Sequence, residues 1–339
     1  MAKIRLAVIG LGNMGCNMVH RLVPQYAEQV QLIALCDSSA DSLRRESEAA
    51  GGGLNLHTDY RELFEQNEPD LVYIAVPPSM HDEVAREAFA RGIHVFCEKP
   101  LANSLEEAKQ MLELARQADG LLNVVHFSFP LEAAVLEFRR RLERGDAGEI
   151  RRIDLYLEFP QWPRAWQQND WIATRREGGY LLEVGIHWIQ MIQQAFGPIV
   201  AVRSDVEFPA DPGLSESVTR AVLRLQSGAE IHLSGTDRRH GEERVSLVVQ
   251  GSGGTVALEN WGSLYAGAAG EEPQPVEVPE EDGELPIFKQ VLRLLRGEPG
   301  TAYDFRDGYN AQVVLEALRD PAPGGGFVDL TERLIGPDA

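Results

Sequence analysis

Two groups of residues in this 339-residue chain have types and spacings that could do redox chemistry. The first is Gly10-Leu11-Gly12-Asn13-Met14-Gly15, a G-x-G-x-x-G that follows the apolar run Lys3–Ile9 and opens the amphipathic stretch Asn13–Val23. There the first glycine permits a tight turn, the second lets the backbone approach a pyrophosphate, and the third lets helix and strand pack closely. The helix start adds free N–H groups and a positive dipole end for the anion. Asp37 closes a second apolar run 22 residues past Gly15, where a carboxylate can bind both ribose hydroxyls. Its charge repels a 2′-phosphate, which favours NAD. Ser38, Ser39, Arg44 and Arg45 keep NADP open as the second option.

The second group could move a proton and steady an oxyanion. Lys99 follows the apolar run Ile93–Phe96, beyond the carboxyl end of a strand, where ligands bind in open α/β sheets. Lysine is scarce here: Lys3, Lys99, Lys109 and Lys289 stand against 28 arginines. An ammonium can stabilise a developing alkoxide. In the run Gly178–His187, helical geometry would place Glu183 and His187 four apart on one face, where the acid can orient the imidazole as a proton carrier. On a surface helix the same spacing is an ordinary ion pair. A metal would need a third ligand, and none stands nearby. The segment Phe159–Trp171 holds three of the five tryptophans; Trp166 and Trp171, with Tyr180 and His126, are candidate substrate contacts. Such aromatics serve equally well at an interface or under a loop.

These residues need a scaffold. About 150 residues per domain suggests two domains, and 44% hydrophobic with 25% charged residues fits a globular chain. Acids outnumber bases 52 to 32, for a net charge of -20, which argues against nucleic acid as a partner. Cys16, Cys36 and Cys97 are too few and too scattered for a disulfide framework or a zinc site. No apolar run approaches the roughly 18 residues of a membrane span. A strand pattern that starts at Lys3 leaves no room for a signal peptide, so a cytoplasmic protein with no membrane contact is expected.

Through residue 123 the chain alternates apolar runs (Lys3–Ile9, Val30–Cys36, Leu54–His57, Leu71–Val76, Ile93–Phe96, Leu121–Val125) with helical patterns. That rhythm indicates a doubly wound parallel sheet covered by helices, a Rossmann domain. From residue 124 to 339 come the runs Arg152–Phe159, Val200–Val206, Val218–Leu225, Glu230–Ser234, Val245–Gln250 and Thr255–Leu258, several joined by short turns such as Ser227-Gly228 and Gly251–Gly254. They read as an α+β domain with a large, open, mostly antiparallel sheet. Gly267–Gly283 reads as a surface loop, and two helices follow, free to pack back on the first domain.

Four segments together resemble the glucose–fructose oxidoreductase / inositol dehydrogenase / rhizopine-catabolism (Gfo/Idh/MocA) family: Gly10–Gly15; Ala75-Val76-Pro77-Pro78 with His81; Glu98-Lys99-Pro100; and Gly178–His187. The resemblance spans nearly the whole chain. It implies NAD(P)-dependent hydride transfer at a hydroxyl or ketone carbon of a sugar-like or cyclic polyol substrate, in a homodimer or homotetramer. It makes Lys99 and His187 the catalytic pair and Glu183 the orienting acid, where relatives usually carry aspartate. It places Gly10, Gly12, Asn13, Met14, Gly15, Asp37, Ser38, Val76, Pro77, His81, Glu98 and Lys99 around the cofactor.

Two departures stand out. Val125-His126-Phe127-Ser128 replaces an Asn-x-Arg-type polar stretch, and Gln190 stands where relatives often have aspartate. Both remove charge from the expected pocket. They leave three alternatives: a reductase of a C=N or conjugated C=C bond, a redox-neutral NAD-dependent glycosidase, or a non-enzymatic dinucleotide sensor.

Overall fold

A computed structural model describes residues 2–167, 169–279 and 286–336. The chain forms two compact units, Met1–Phe127 with Pro286–Tyr309, and Ser128–Leu285 with Asn310–Ala339. Among the described residues no helix is long and apolar enough to cross a membrane.

The first unit is built on six parallel strands: β1 (Ile4–Ile9), β2 (Val30–Cys36), β3 (Asn55–His57), β4 (Leu71–Ile74), β5 (His94–Cys97) and β6 (Asn123–Val125). Their order is β3-β2-β1-β4-β5-β6, the doubly wound arrangement, whose strand order reverses at β1. Leu6–Ile9 and all of β4 are buried, so the central strands are apolar on both faces, as a sheet sandwiched by helices requires. Helices start where short polar side chains accept the first free N–H groups. Ser39 caps Ala40–Ala49, Asp59 caps Tyr60–Asn67, and Ser104 caps Leu105–Gln117. Late in the chain the helix Ile287–Leu294 returns to this unit, and Tyr303 accepts a hydrogen bond from Val125 N–H at 2.8 Å.

The second unit carries nine strands: β7 (Ile150–Glu158), β8 (Ile199–Glu207), β9 (Val218–Leu225), β10 (Glu230–Thr236), β11 (Arg244–Gly251), β12 (Gly254–Glu259), β13 (Ser263–Ala268), β14 (Gln274–Val276) and β15 (Val328–Asp329). Their order is β14-β13-β12-β11-β7-β10-β9-β8-β15, antiparallel except for the β10–β7 pair. Ile153, Leu155, Leu157, Val245, Leu247 and Val249 alternate inward to form the apolar face.

Reading Gly267–Gly283 as a loop requires correction. β13 runs into it and β14 adds an edge strand, while residues 280–285 lie outside the described residues. Pro275 obscured the strand in the sequence, yet an edge position tolerates a residue that donates no ladder hydrogen bond.

At the start of the helix Phe305–Arg319, Asp304 and Asp307 cap reciprocally. Asp307 N–H donates to Asp304 Oδ1 at 3.0 Å, and Asp304 N–H donates to Asp307 Oδ2 at 3.1 Å. Burial, with the adjacent Asp304 charge, pushes the Asp307 carboxyl up to about 6. A carboxyl raised in the folded state favours folding while protonated. That contribution fades as pH rises from its unfolded value near 3.8 through about 6. Asp307→Asn keeps the accepting oxygen and removes the charge, so it is expected to stabilise the protein by about 1–2 kcal/mol at pH 8. Little gain is expected at pH 4; thermal unfolding at the two pH values checks both.

Candidate active site

In the first unit, the end of β1 approaches the loop after β4 so closely that no side chain fits between them. Gly10 has φ +93°, and a Cβ there would lie 2.3 Å from Ala75 O. A Cβ on Gly15 would lie 1.8 Å from Gly10 O. Gly12 is the opposite case: it is exposed, and a Cβ there would meet nothing within 4 Å. That open side suits a pyrophosphate against the backbone, so the glycine turn fits a dinucleotide. Asn13 and Met14 are exposed on the same turn, and no side chain caps the helix start at Gly12.

Asp37 is tied directly to this turn. Its Oδ2 accepts from Leu11 N–H and its Oδ1 from Ser39 N–H, both at 2.8 Å. Each oxygen keeps lone-pair capacity for a ribose hydroxyl. Ser38 beside it is exposed.

Beyond β4 and β5, Val76, Pro77 and Lys99 are half-exposed, whereas His81 and Glu98 are buried. His81 Nε2 lies 3.0 Å from Val76 O, and its Nδ1 lies 3.1 Å from Pro100 O and 3.2 Å from Leu101 O. Burial holds its pKa below the ordinary histidine value. The buried ring lies between the Val76 carbonyl and the Pro100 and Leu101 carbonyls, where its one N–H can donate to either side, and it packs the two loops together.

Glu98 accepts from three donors. Its Oε1 meets the Tyr73 hydroxyl and, at 2.6 Å, His126 Nδ1; its Oε2 meets Lys99 N–H at 3.3 Å. Burial opposes ionisation, but the charge and hydrogen bond of His126, the Tyr73 hydroxyl and the Lys99 charge bring the carboxyl down to about 2. Tyr73 lies on β4, Glu98 just after β5 and His126 just after β6, so one anion laces three neighbouring strand ends beside Lys99. His126 is thus a hydrogen-bond partner of Glu98, and Tyr73 is a participant that sequence reasoning missed. As a tyrosine inside an apolar strand, it gave no signal.

In the second unit, Leu181–Gly185 forms a π-helical turn that continues into the helix Ile186–Phe196. Such turns recur at functional sites. From Leu181 to Ile192 every residue is buried except Glu183 and His187, which are half-exposed. The surface-helix alternative is thereby ruled out, since this is a core helix that leaves two polar side chains accessible. Gln190 is buried.

The glycine pair before the turn has a steric cause. A Cβ on Gly178 would lie 2.1 Å from Ile172 O; one on Gly179, where φ is +100°, would lie 2.4 Å from Glu216 Oε2. Glu216 is buried, its Oε1 accepts from Leu181 N–H at 2.7 Å, and burial pushes its pKa up. It supports the start of the segment carrying Glu183 and His187. Sequence reasoning missed it, because an acid next to a strand carries no pattern.

The aromatic candidates separate. Tyr180 is fully buried: its hydroxyl bonds Thr219 Oγ1 at 2.9 Å, and its ring packs 5.6 Å from Phe159 and 6.1 Å from Trp162. In this structure Tyr180 is part of the core of the second unit. Trp171 is half-buried in a short helical turn, Asp170–Ala173. Trp166 is 64% exposed and lies 5.8 Å from the guanidinium of Arg164, which is itself paired with Glu243 at 2.7 Å.

Residues 4–126 match the family model described as "Oxidoreductase family, NAD-binding Rossmann fold", and residues 135–257 match the GFO/IDH/MocA C-terminal domain. The chain is 24% identical to a D-glucoside 3-dehydrogenase of Escherichia coli, with 97% of this chain and 98% of that protein aligned. It is 26% identical to an uncharacterised oxidoreductase of Schizosaccharomyces pombe; that match takes in 61% of this chain and about half (55%) of the relative's length. Among solved structures, the WlbA dehydrogenase from Bordetella pertussis, in complex with NADH and UDP-GlcNAcA, shares its fold at TM-score 0.82. That match has 22% identity and covers 97% of this chain and 99% of that one.

Adding a methyl group at Gly179 forces both a disfavoured φ and an overlap with Glu216. Gly179→Ala is expected to destabilise the protein by about 2 kcal/mol or more. Gly326→Ala, with open space around it, is expected to stay within about 0.5 kcal/mol. Denaturant unfolding of the two variants side by side measures the difference.

Proposed function

This chain belongs to the Gfo/Idh/MocA oxidoreductase family, and on that premise we propose that it transfers hydride between NAD and a hydroxyl or ketone carbon of a sugar-like or cyclic polyol substrate. The observation that carries the proposal is the exposure pattern of Leu181–Ile192, where folding buries everything except an acid and an imidazole four residues apart. The open backbone at Gly12 and the fixed Asp37 carboxylate support the dinucleotide half of the reading. The D-glucoside dehydrogenase and the nucleotide-sugar complex among its relatives support the substrate class.

Gly10–Gly15 and Asp37 would hold the dinucleotide. When bound, its oxidised nicotinamide supplies a hydride acceptor. In the oxidative direction His187 takes the proton of the substrate hydroxyl at a ring nitrogen while the hydride leaves the same carbon. Glu183 holds the imidazole, and the Lys99 ammonium stabilises negative charge building on the oxygen. In the reductive direction His187 returns the proton to the oxygen.

Lys99→Ala and His187→Ala are each expected to lower kcat by about 10²–10⁴-fold. The Kd for NADH should stay within about threefold, because these interactions act in the transition state. Steady-state kinetics on a panel of D-glucosides and nucleotide-sugar uronic acids, with NADH fluorescence titration, measures both. Wild-type turnover in either variant would refute its role. For the cofactor, Asp37→Ala is expected to weaken NADH and narrow its advantage over NADPH by at least about tenfold, or 1.4 kcal/mol; parallel titrations of the two nucleotides read the ratio.

A further inference from the structure

The turn between β12 and β13 combines an unusual backbone with an unusual neighbour. Gly262 N–H donates to Glu259 O at 3.2 Å, closing a turn whose two central residues, Asn260 and Trp261, have φ of +47° and +73°. Two successive positive φ values mark a turn whose second central position normally takes glycine. Asparagine tolerates this conformation, whereas a bulky aromatic there is an outlier. The glycine of the turn, Gly262, stands one residue later and does not have a positive φ.

The surroundings give a reason for a tryptophan at that position. The Trp261 ring lies 5.6 Å from the His187 ring at an interplanar angle of 87°, an edge-to-face contact. It also packs 5.1 Å from Phe129 and 5.9 Å from Trp188. Trp261 is half-buried, so it is anchored on aromatic neighbours yet keeps an accessible part beside the accessible imidazole. Local strain persists where surrounding structure over-determines it, and it clusters at functional sites.

The geometry points to Trp261 as a positioning residue for His187: an indole held in a glycine-type turn sets the angle of the imidazole and shields one side of it from water. The role rests on the reading of His187 as the proton carrier. Reacting groups must be held close to the productive geometry, so a loosened imidazole lowers turnover even though its chemistry is intact.

The test separates strain from packing and both from catalysis. Trp261→Ala removes the indole and keeps the backbone penalty; Trp261→Gly removes both. The glycine variant is expected to melt about 2–4 °C higher than the alanine variant. Both are expected to lose kcat by at least about tenfold with the Kd for NADH unchanged, and Trp261→Phe is expected to recover much of it. In histidine-labelled full-length protein, the His187 ring resonance, assigned with His187→Gln, should move in Trp261→Ala and Trp261→Gly.

Equal melting temperatures for the alanine and glycine variants would overturn the strained-turn argument. Unchanged turnover, or an unmoved His187 resonance, would overturn the positioning role. If the wild-type protein transfers no hydride to or from any substrate tried, the oxidoreductase reading fails instead. The resonance and melting comparison then still decides the Trp261–His187 contact.

Discussion

Charge buried in the interior is the constraint on which both groups of candidate residues rest. A carboxylate removed from water must find donors or give up its charge. Glu98 finds donors from three strands, stays ionised, and joins the carboxyl ends of β4, β5 and β6 next to Lys99. Glu216 accepts from main-chain N–H groups, Leu181 among them, yet burial still pushes its pKa up. It occupies the space that Gly179 leaves by having no side chain, and it bears the start of the segment carrying Glu183 and His187. Burial acts on both acids, with the net pKa shift downward for Glu98 and upward for Glu216, and each acid fixes the backbone beside a residue proposed to act on substrate.

Absent side chains matter as much as present ones. At Gly10 and Gly15 a Cβ would overlap backbone atoms, so the close approach that shapes the dinucleotide turn depends on glycine. At Gly12 the space is open, and there the missing Cβ serves a ligand rather than the fold. The turn at Trp261 inverts the pattern, with a large aromatic where glycine would be relaxed. Glycine at the points of contact follows local preference, whereas tryptophan at a positive-φ turn departs from it, and departures of this kind gather at functional sites.

Much of the fold was legible because its signals are local. Apolar runs separated by helical patterns marked the six strands of the first unit, and Ser39, Asp59 and Ser104 capped helices as short polar side chains do. Alternation marked most of the second sheet. β14 was missed because Pro275 reads as a breaker, and whether a strand lies at an edge is not a local property. Tyr180 reads like a binding aromatic and is a core residue, because burial depends on the neighbours that folding supplies.

The sequence by itself determined the family, the glycine turn with its acid at the end of β2, and the Lys99 and Glu183/His187 candidates, since each depends on residue type at short spacing. Tertiary structure decided what surrounds them. It joined Tyr73, Glu98 and His126 across 53 residues of chain, set Glu216 beneath Gly179, and placed Trp261 against His187. Those neighbours come from different strands and turns, and their contact arises from the order in which the sheets assemble, which no short stretch of sequence encodes.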